Sequence, residues 1–261
     1  MSSAVQVNVR TMPSMRQKAA AAYEVIRLDT NNDCNLHCVY CHNPRSSALI
    51  TLDEFRRFLD ENVQSVRYFQ IGCVMEPTLD HRMCDFMEAI AASHARPGHV
   101  FRLQTNGILL HRHDYGRMAD AGLNLVTVSV DSINPENHKS LRDGTSLSKV
   151  QRNLISLRSA CPSVKLRFIT TVTSLNIGDI EELIVWGLDH GIEGFELRQM
   201  FHHPGSPIVD HGRMKALIVS DDAFSSMRDR VNAKFVEKTK LNFQFSETTM
   251  NNGRAIVAAS T

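Results

Sequence analysis

Three cysteines, Cys34, Cys38 and Cys41, stand at the spacing C-x3-C-x2-C. Thiolates so spaced can wrap one face of an iron–sulfur cubane, and a full protein ligand set would be four. Three leave one iron open for a small molecule to chelate. The competing reading is a structural zinc completed by His37 or His42. Zinc closes a tetrahedron, commonly from two separated ligand pairs, and no second Cys/His pair at zinc-knuckle spacing accompanies the triplet. The other cysteines, Cys73, Cys84 and Cys161, are scattered, so neither an auxiliary cluster nor a disulfide scaffold of the small secreted kind is expected.

The elements that must position this loop are legible as an alternation of strands and helices. Ala22 to Asp29 alternates apolar and polar residues in strand fashion and runs straight into the cysteines. Thr51 and Glu54 form a capping-box pattern, with Leu52, Phe55, Phe58 and Leu59 repeating at helical spacing behind it. Further strands are predicted over 66–71, 100–104, 125–130, 164–172 and 194–200, with helices over 80–92, 115–121, 147–159 and 180–190. In the 80–92 helix, Met83, Phe86, Met87 and Ile90 should face inward.

Repeats of this kind imply parallel strands joined by right-handed crossovers. A doubly wound sheet and a barrel-like sheet both fit. In either, the site belongs at the C-terminal strand ends. Polar residues gather there: the cysteine loop, Glu76, Asn106, Ser129 with Asp131, Thr171 with Thr173, and Arg198. Beyond Met200 the pattern changes to a loop over 202–207, a helix over 222–236 and a hairpin pairing 241–245 with 255–258. The expected organisation is a lead-in over 1–21, a core over 22–201, and a C-terminal extension over 202–261 that caps it.

The run Cys34-Asn35-Leu36-His37-Cys38-Val39-Tyr40-Cys41, placed directly after a strand, resembles the signature of radical S-adenosylmethionine (radical SAM) enzymes. The likeness extends over about Val25 to Met200 and leans toward the branch of the molybdenum-cofactor cyclase and the peptide-maturing members. It implies an α/β fold, a partial (β/α)6 TIM-like barrel with a short C-terminal α+β extension. It also implies one [4Fe–4S] cluster on Cys34, Cys38 and Cys41, with S-adenosylmethionine on the open iron.

Other residues take their roles from the same resemblance. Ile71-Gly72-Cys73-Val74-Met75-Glu76-Pro77 sits where the family carries Gly-Gly-Glu-Pro, and only its end is kept, so Gly72, Met75 and Glu76 stand as contacts to the methionine amino group. Val128-Ser129-Val130-Asp131-Ser132 looks like the fourth-strand end of that branch, which makes Ser129 and Asp131 cofactor contacts. Arg142 matches an arginine that pairs with the methionine carboxylate in some relatives, a task suited to a guanidinium fork. Tyr40, Arg198 and Met200 fall near adenine. Plainer readings stand beside these: Tyr40 as a shield over the cluster, Ser129 and Asp131 as strand-end caps, Arg142 paired with Asp143 or Asp131 at the surface, Asn106 as a left-handed turn residue rather than a cofactor contact. Cys73 is a candidate hydrogen donor to a substrate radical, against the commoner role of a small core residue.

Composition narrows the partners. A formal net charge of +1 gives no sign of a nucleic-acid binder. No apolar run reaches the roughly 18 to 20 residues of a membrane span, and Met1 to Lys18 lacks the apolar stretch of a secretory signal, so a cytoplasmic location is expected. The substrate expected is a small polar metabolite or natural-product intermediate, held by groups such as Arg102, His202 and His203. The alternative is a peptide or protein, including activation of a glycyl-radical enzyme, which Cys41-His42-Asn43 also suggests. Electrons would come from an external donor such as flavodoxin. A non-catalytic zinc-binding module is the outside reading.

Overall fold

Every strand–helix repeat read from the sequence is present in the computed structural model, which describes residues 25–63, 66–93 and 97–245. In chain order the elements are β1 (Val25–Leu28), β2 (His37–Cys38), α1 (Leu52–Asn62), β3 (Val66–Ile71), α2 (Met83–Ala92), β4 (Pro97–Thr105), α3 (Tyr115–Asp120), β5 (Leu125–Ser129), α4 (Pro135–Leu141), β6 (Arg142–Asp143), α5 (Leu147–Ala160), β7 (Lys165–Val172), α6 (Ile180–Asp189), β8 (Gly194–Gln199), α7 (His211–Ala216), α8 (Asp221–Phe235) and β9 (Lys240–Gln244). The chain divides into two units. One holds the residues up to Asn35 with Pro44–Ser129 and Ser148–Leu166, the other Leu36–Asn43, Val130–Leu147 and the chain from Arg167 onward.

In the first unit β1, β3, β4 and β5 pair in that order, all parallel. One face of these strands carries Phe69, Ile71, Phe101 and Leu103, all at or near zero exposure. Met83, Phe86, Met87 and Ile90 of α2 are fully buried, as their helical spacing predicts. Phe86 meets Phe55 of α1 edge-on, ring centroids 5.1 Å apart. The capping box at the start of α1 is closed in both directions: Glu54 N–H donates to Thr51 Oγ1 (3.2 Å) and Thr51 N–H to Glu54 Oε2 (2.9 Å). The second helix starts later than its pattern suggests. Pro77 opens a short 3-10 turn over Pro77–Leu79, and the Asp80 carboxylate then accepts Arg82 N–H (3.0 Å), which delays α2 to Met83.

In the second unit β7, β8 and β9 pair in parallel. Lys240–Gln244 is a further parallel strand, paired with β8. Its would-be partner, 255–258, lies outside the described residues, as does the lead-in over 1–21. The reason is α8, whose buried stripe of Phe224, Met227, Val231 and Phe235 makes it a crossover helix between β8 and β9. The unit also holds α4. Asn134 caps it by accepting Glu136 and Asn137 N–H, and Pro135 occupies its first turn. Straight after it, β6 pairs antiparallel with β2, Arg142 opposite Cys38 and Asp143 opposite His37.

The capping box offers a direct check on α1. Thr51→Ala should cost about 1 kcal/mol in chemical denaturation and Thr51→Ser much less. Equal losses would show that the hydroxyl bond does not anchor this helix.

Candidate active site

In the first unit, Cys34 is held by its backbone. Its N–H donates to Asp33 Oδ1 (2.7 Å) and its carbonyl accepts Arg45 Nη1 (2.7 Å). Asn106 comes from the end of β4, donates Nδ2 to Asn35 Oδ1 (2.8 Å) and places the same nitrogen 4.0 Å from Cys34 Sγ. Asn106 is not left-handed: among the described residues every positive φ belongs to glycine, and Gly107 beside it takes +80°.

The altered loop after β3 is braced by two acids. Gly72 has φ +83°, and a Cβ there would lie 2.2 Å from the Gln104 carbonyl oxygen, so only glycine fits. The next three amides, of Cys73 (2.8 Å), Val74 (3.2 Å) and Met75 (3.2 Å), all donate to the Asp29 carboxylate. Burial pushes the Asp29 carboxyl up, and these backbone bonds pull against it. Glu76, 2 % exposed, accepts Thr78 N–H (3.1 Å), Thr105 Oγ1 (2.6 Å) and Asn106 N–H (2.6 Å). Its side chain thus ties the loop to the end of β4. Cys73 is half-buried; burial pushes its thiol up to about 12, Asp29 adding to the rise and Arg27 and Arg102 opposing it.

In the second unit, Cys38 and Cys41 form one turn, Cys41 N–H donating to the Cys38 carbonyl (3.0 Å), with Asn43 Nδ2 3.9 Å from Cys41 Sγ. Between them, Tyr40 donates its hydroxyl to Asp131 Oδ2 in a short hydrogen bond. Burial pushes this phenol well above its ordinary range, against the pull of Arg142. Asp131 has no exposure and also accepts Arg142 Nε (2.8 Å) and Nη2 (3.2 Å) and Thr171 N–H (2.9 Å). Arg142 Nη1 reaches to 3.8 Å from Cys38 Sγ, and the guanidinium lies 5.6 Å from the Tyr40 ring centre. Asp131 N–H in turn donates to His138 Nδ1 (3.3 Å), leaving Nε2 facing Thr145 Oγ1 (3.2 Å).

Ser129 ends β5 in the first unit, half-buried. In the second, Arg198 is engaged by Glu196 (2.9 Å), and Met200, 3 % exposed, donates its N–H to the Val172 carbonyl (2.9 Å). His203 stacks on His42 at 4.9 Å, and His202 bonds His211 (2.9 Å).

None of the three cysteines of the triplet is in a disulfide, and all are half-buried. Each sulfur has a side-chain N–H nitrogen at 3.8–4.0 Å, from Asn106, Arg142 and Asn43. That donor set suits anionic sulfur, as the thiolates of an iron–sulfur cluster require. Among the described residues no three His, Cys, Asp or Glu side chains stand within metal-holding distance of one another. Sequence reasoning did not single out Asp29, Asn35 or Asn43. An acid closing the first strand and an amide two residues past the last cysteine were the available signals.

Comparison with known proteins adds the family. A family model described as Radical SAM superfamily matches residues 29–187, more than half of the chain. A GTP 3',8-cyclase of Streptomyces coelicolor is 29 % identical over 78 % of this chain and 60 % of its own length. A probable GTP 3',8-cyclase of Methanocaldococcus jannaschii is 28 % identical over 77 % and 70 %. The chain thus spans well short of the full length of these relatives. Among solved structures, Streptococcus suis SuiB superposes with a TM-score of 0.65 at 16 % identity, over 87 % of this chain and 50 % of that one. Native anSMEcpe with bound AdoMet and a peptide gives 0.60 at 18 %, over 84 % and 63 %. At such identities the likeness speaks for the fold, and it agrees with the α/β partial-barrel class.

His138 generates a pH prediction. Burial lowers its pKa from 6.5 to about 4, so between those values the unfolded chain takes up a proton that the folded one refuses. Stability should be full above pH 6.5 and fall progressively toward pH 4, by up to about 3 kcal/mol. Urea midpoints measured from pH 7 to pH 5 should drop more steeply for the native sequence than for His138→Gln. Parallel slopes would contradict the assignment.

Proposed function

Because the chain belongs to the radical SAM superfamily, we propose that it generates a 5′-deoxyadenosyl radical and uses it to take hydrogen from a small, anionic, polar metabolite. Enzymes of this superfamily work with a [4Fe–4S] cluster and S-adenosylmethionine, which when bound supply an electron to the sulfonium C–S bond and release methionine and the radical. Cys34, Cys38 and Cys41 would hold the cluster. The loop from Gly72 to Glu76 would receive the methionine amino group.

The observation that carries the substrate class is a row of polar side chains across the first unit. Arg27, Gln70 and Arg102 stand in register on β1, β3 and β4, and side chains at such positions share one face. Arg102 donates to Tyr68 Oη (3.0 Å) and Gln104 Oε1 (2.9 Å). The Arg27 guanidinium lies 5.7 Å from the Tyr68 ring centre, and its Nε is buried without a hydrogen-bond partner. Asp29, just past β1 and two residues from Arg27, already spends its carboxylate on three amides. A buried donor without an acceptor is costly, and a carboxylate or phosphate on the substrate supplies the missing acceptor bidentately. The nucleotide named for the cyclase relatives would meet that need, as would a small organic acid. A peptide backbone brings no net anion.

Cys73, near both arginines in their effect on its thiol, stays protonated, as a hydrogen-atom donor must. In an epimerisation its S–H bond would break as a substrate C–H bond forms. An external one-electron donor such as flavodoxin, with a proton, would restore the thiol. Oxidation or rearrangement would leave it unused.

The test uses anaerobically reconstituted protein, dithionite and S-adenosylmethionine, with 5′-deoxyadenosine followed by mass spectrometry. Release should vanish in Cys38→Ala. Anionic candidates should accelerate it, and Arg27→Met should raise their apparent KM by about tenfold or more, the scale of a lost charged pair. Neutral compounds that accelerate equally would remove the anionic class. A colourless, zinc-loaded protein without release would remove the radical reading.

A further inference from the structure

Arg142 is expected, from resemblance, to clamp the carboxylate of S-adenosylmethionine. The structure gives the guanidinium other work. Its backbone lies directly opposite Cys38 in the β2–β6 pair, and Val39 N–H donates to the Leu141 carbonyl (3.0 Å), so the two segments are stapled together. The Nε and Nη2 edge, which is one of the two edges that can grip a carboxylate in parallel, is occupied by Asp131. Nη1 points at Cys38 Sγ, 3.8 Å away. The side chain is 9 % exposed, which leaves little surface for a second carboxylate.

We infer that Arg142 is a positioning residue for the cluster ligand Cys38, fixing its sulfur and directing an N–H at it, and is not the partner of the cofactor's carboxylate. The inference rests on the reading that Cys34, Cys38 and Cys41 hold the cluster. Asn106 and Asn43 stand in the same relation to Cys34 and Cys41, but both are neutral amides. Arg142 alone brings a guanidinium to a sulfur of the triplet, among these three donors. Asp131 balances its charge, so what reaches Cys38 is chiefly an aimed donor. Reduction adds negative charge to a cluster and its thiolates, and a donor at sulfur stabilises that state more than the oxidised one. Arg142 therefore raises the cluster's reduction potential. Asp131 orients the fork, and its bond to Tyr40 ties the same unit to the turn that carries Cys38 and Cys41.

The experiment compares the reconstituted native protein with Arg142→Gln, by titration of the cluster's midpoint potential under electron paramagnetic resonance and by the Kd for S-adenosylmethionine. The midpoint should become more negative in the variant, while the Kd stays within about threefold. Should Arg142→Gln fail to fold because Asp131 is left buried and unpaired, Arg142→Gln with Asp131→Asn removes both charges and is read in the same way. A loss of affinity of about tenfold or more, with or without a potential shift, would return Arg142 to the carboxylate. An unshifted midpoint would also overturn the inference. A native protein that takes up no iron–sulfur cluster would overturn the cluster assignment itself, and this inference with it.

Discussion

A carboxylate with no exposure has lost its water and must be met by donors, or it will not stay charged. Asp131 is met on every side: by two nitrogens of Arg142, by the Tyr40 hydroxyl and by the Thr171 amide. Those partners come from the end of β7, from the short strand after α4, and from inside the cysteine turn. Such a buried pair adds little net stability compared with apolar residues of the same size, but breaking it is expensive. Its value lies in geometry. One carboxylate fixes the aim of Arg142 and the position of Tyr40 together, and both bear on the turn between Cys38 and Cys41.

The alternation of strands and helices was legible because each element buries one face. Met83, Phe86, Met87 and Ile90 declare α2 by spacing alone, and Thr51 with Glu54 declare where α1 begins. The cysteines were legible because three thiols so close in sequence have few other uses. What could not be read was pairing at long range. Arg142 and Cys38 stand 104 residues apart, and a two-residue antiparallel pair leaves no periodic trace. The parallel pairing of β9 with β8 was illegible for a related reason. Leu241 and Phe243 alternate in any strand, and the buried stripe of α8 between β8 and β9 is what fits a parallel return.

Buried acids also give several residues expected at the cofactor a bracing role within the loops. Glu76 spends its carboxylate on Thr78, Thr105 and Asn106, so what it contributes is the shape of the loop. Asn106 is itself positioned by that bond through its amide, and its side chain then reaches Asn35 and the Cys34 sulfur. A chain of contacts thus runs from an acid after β3 to a cysteine after β1. Changing Glu76 would be felt at Cys34 without any direct contact between them.

The loop where this chain departs from Gly-Gly-Glu-Pro is held by an acid as well. A second glycine would let the peptide units turn freely, whereas Cys73, Val74 and Met75 are side-chain-bearing residues whose turning is restricted. Asp29 resolves the orientation by drawing all three amides to one carboxylate, a concave arrangement of N–H groups suited to an anion. With their N–H groups so committed, these peptide units have only carbonyls left to offer an incoming group. Carbonyls are what an ammonium needs. Under the proposed function, the acid at the end of β1 therefore does by electrostatics what the missing glycine does by freedom, and the methionine amino group would meet a loop already turned toward it.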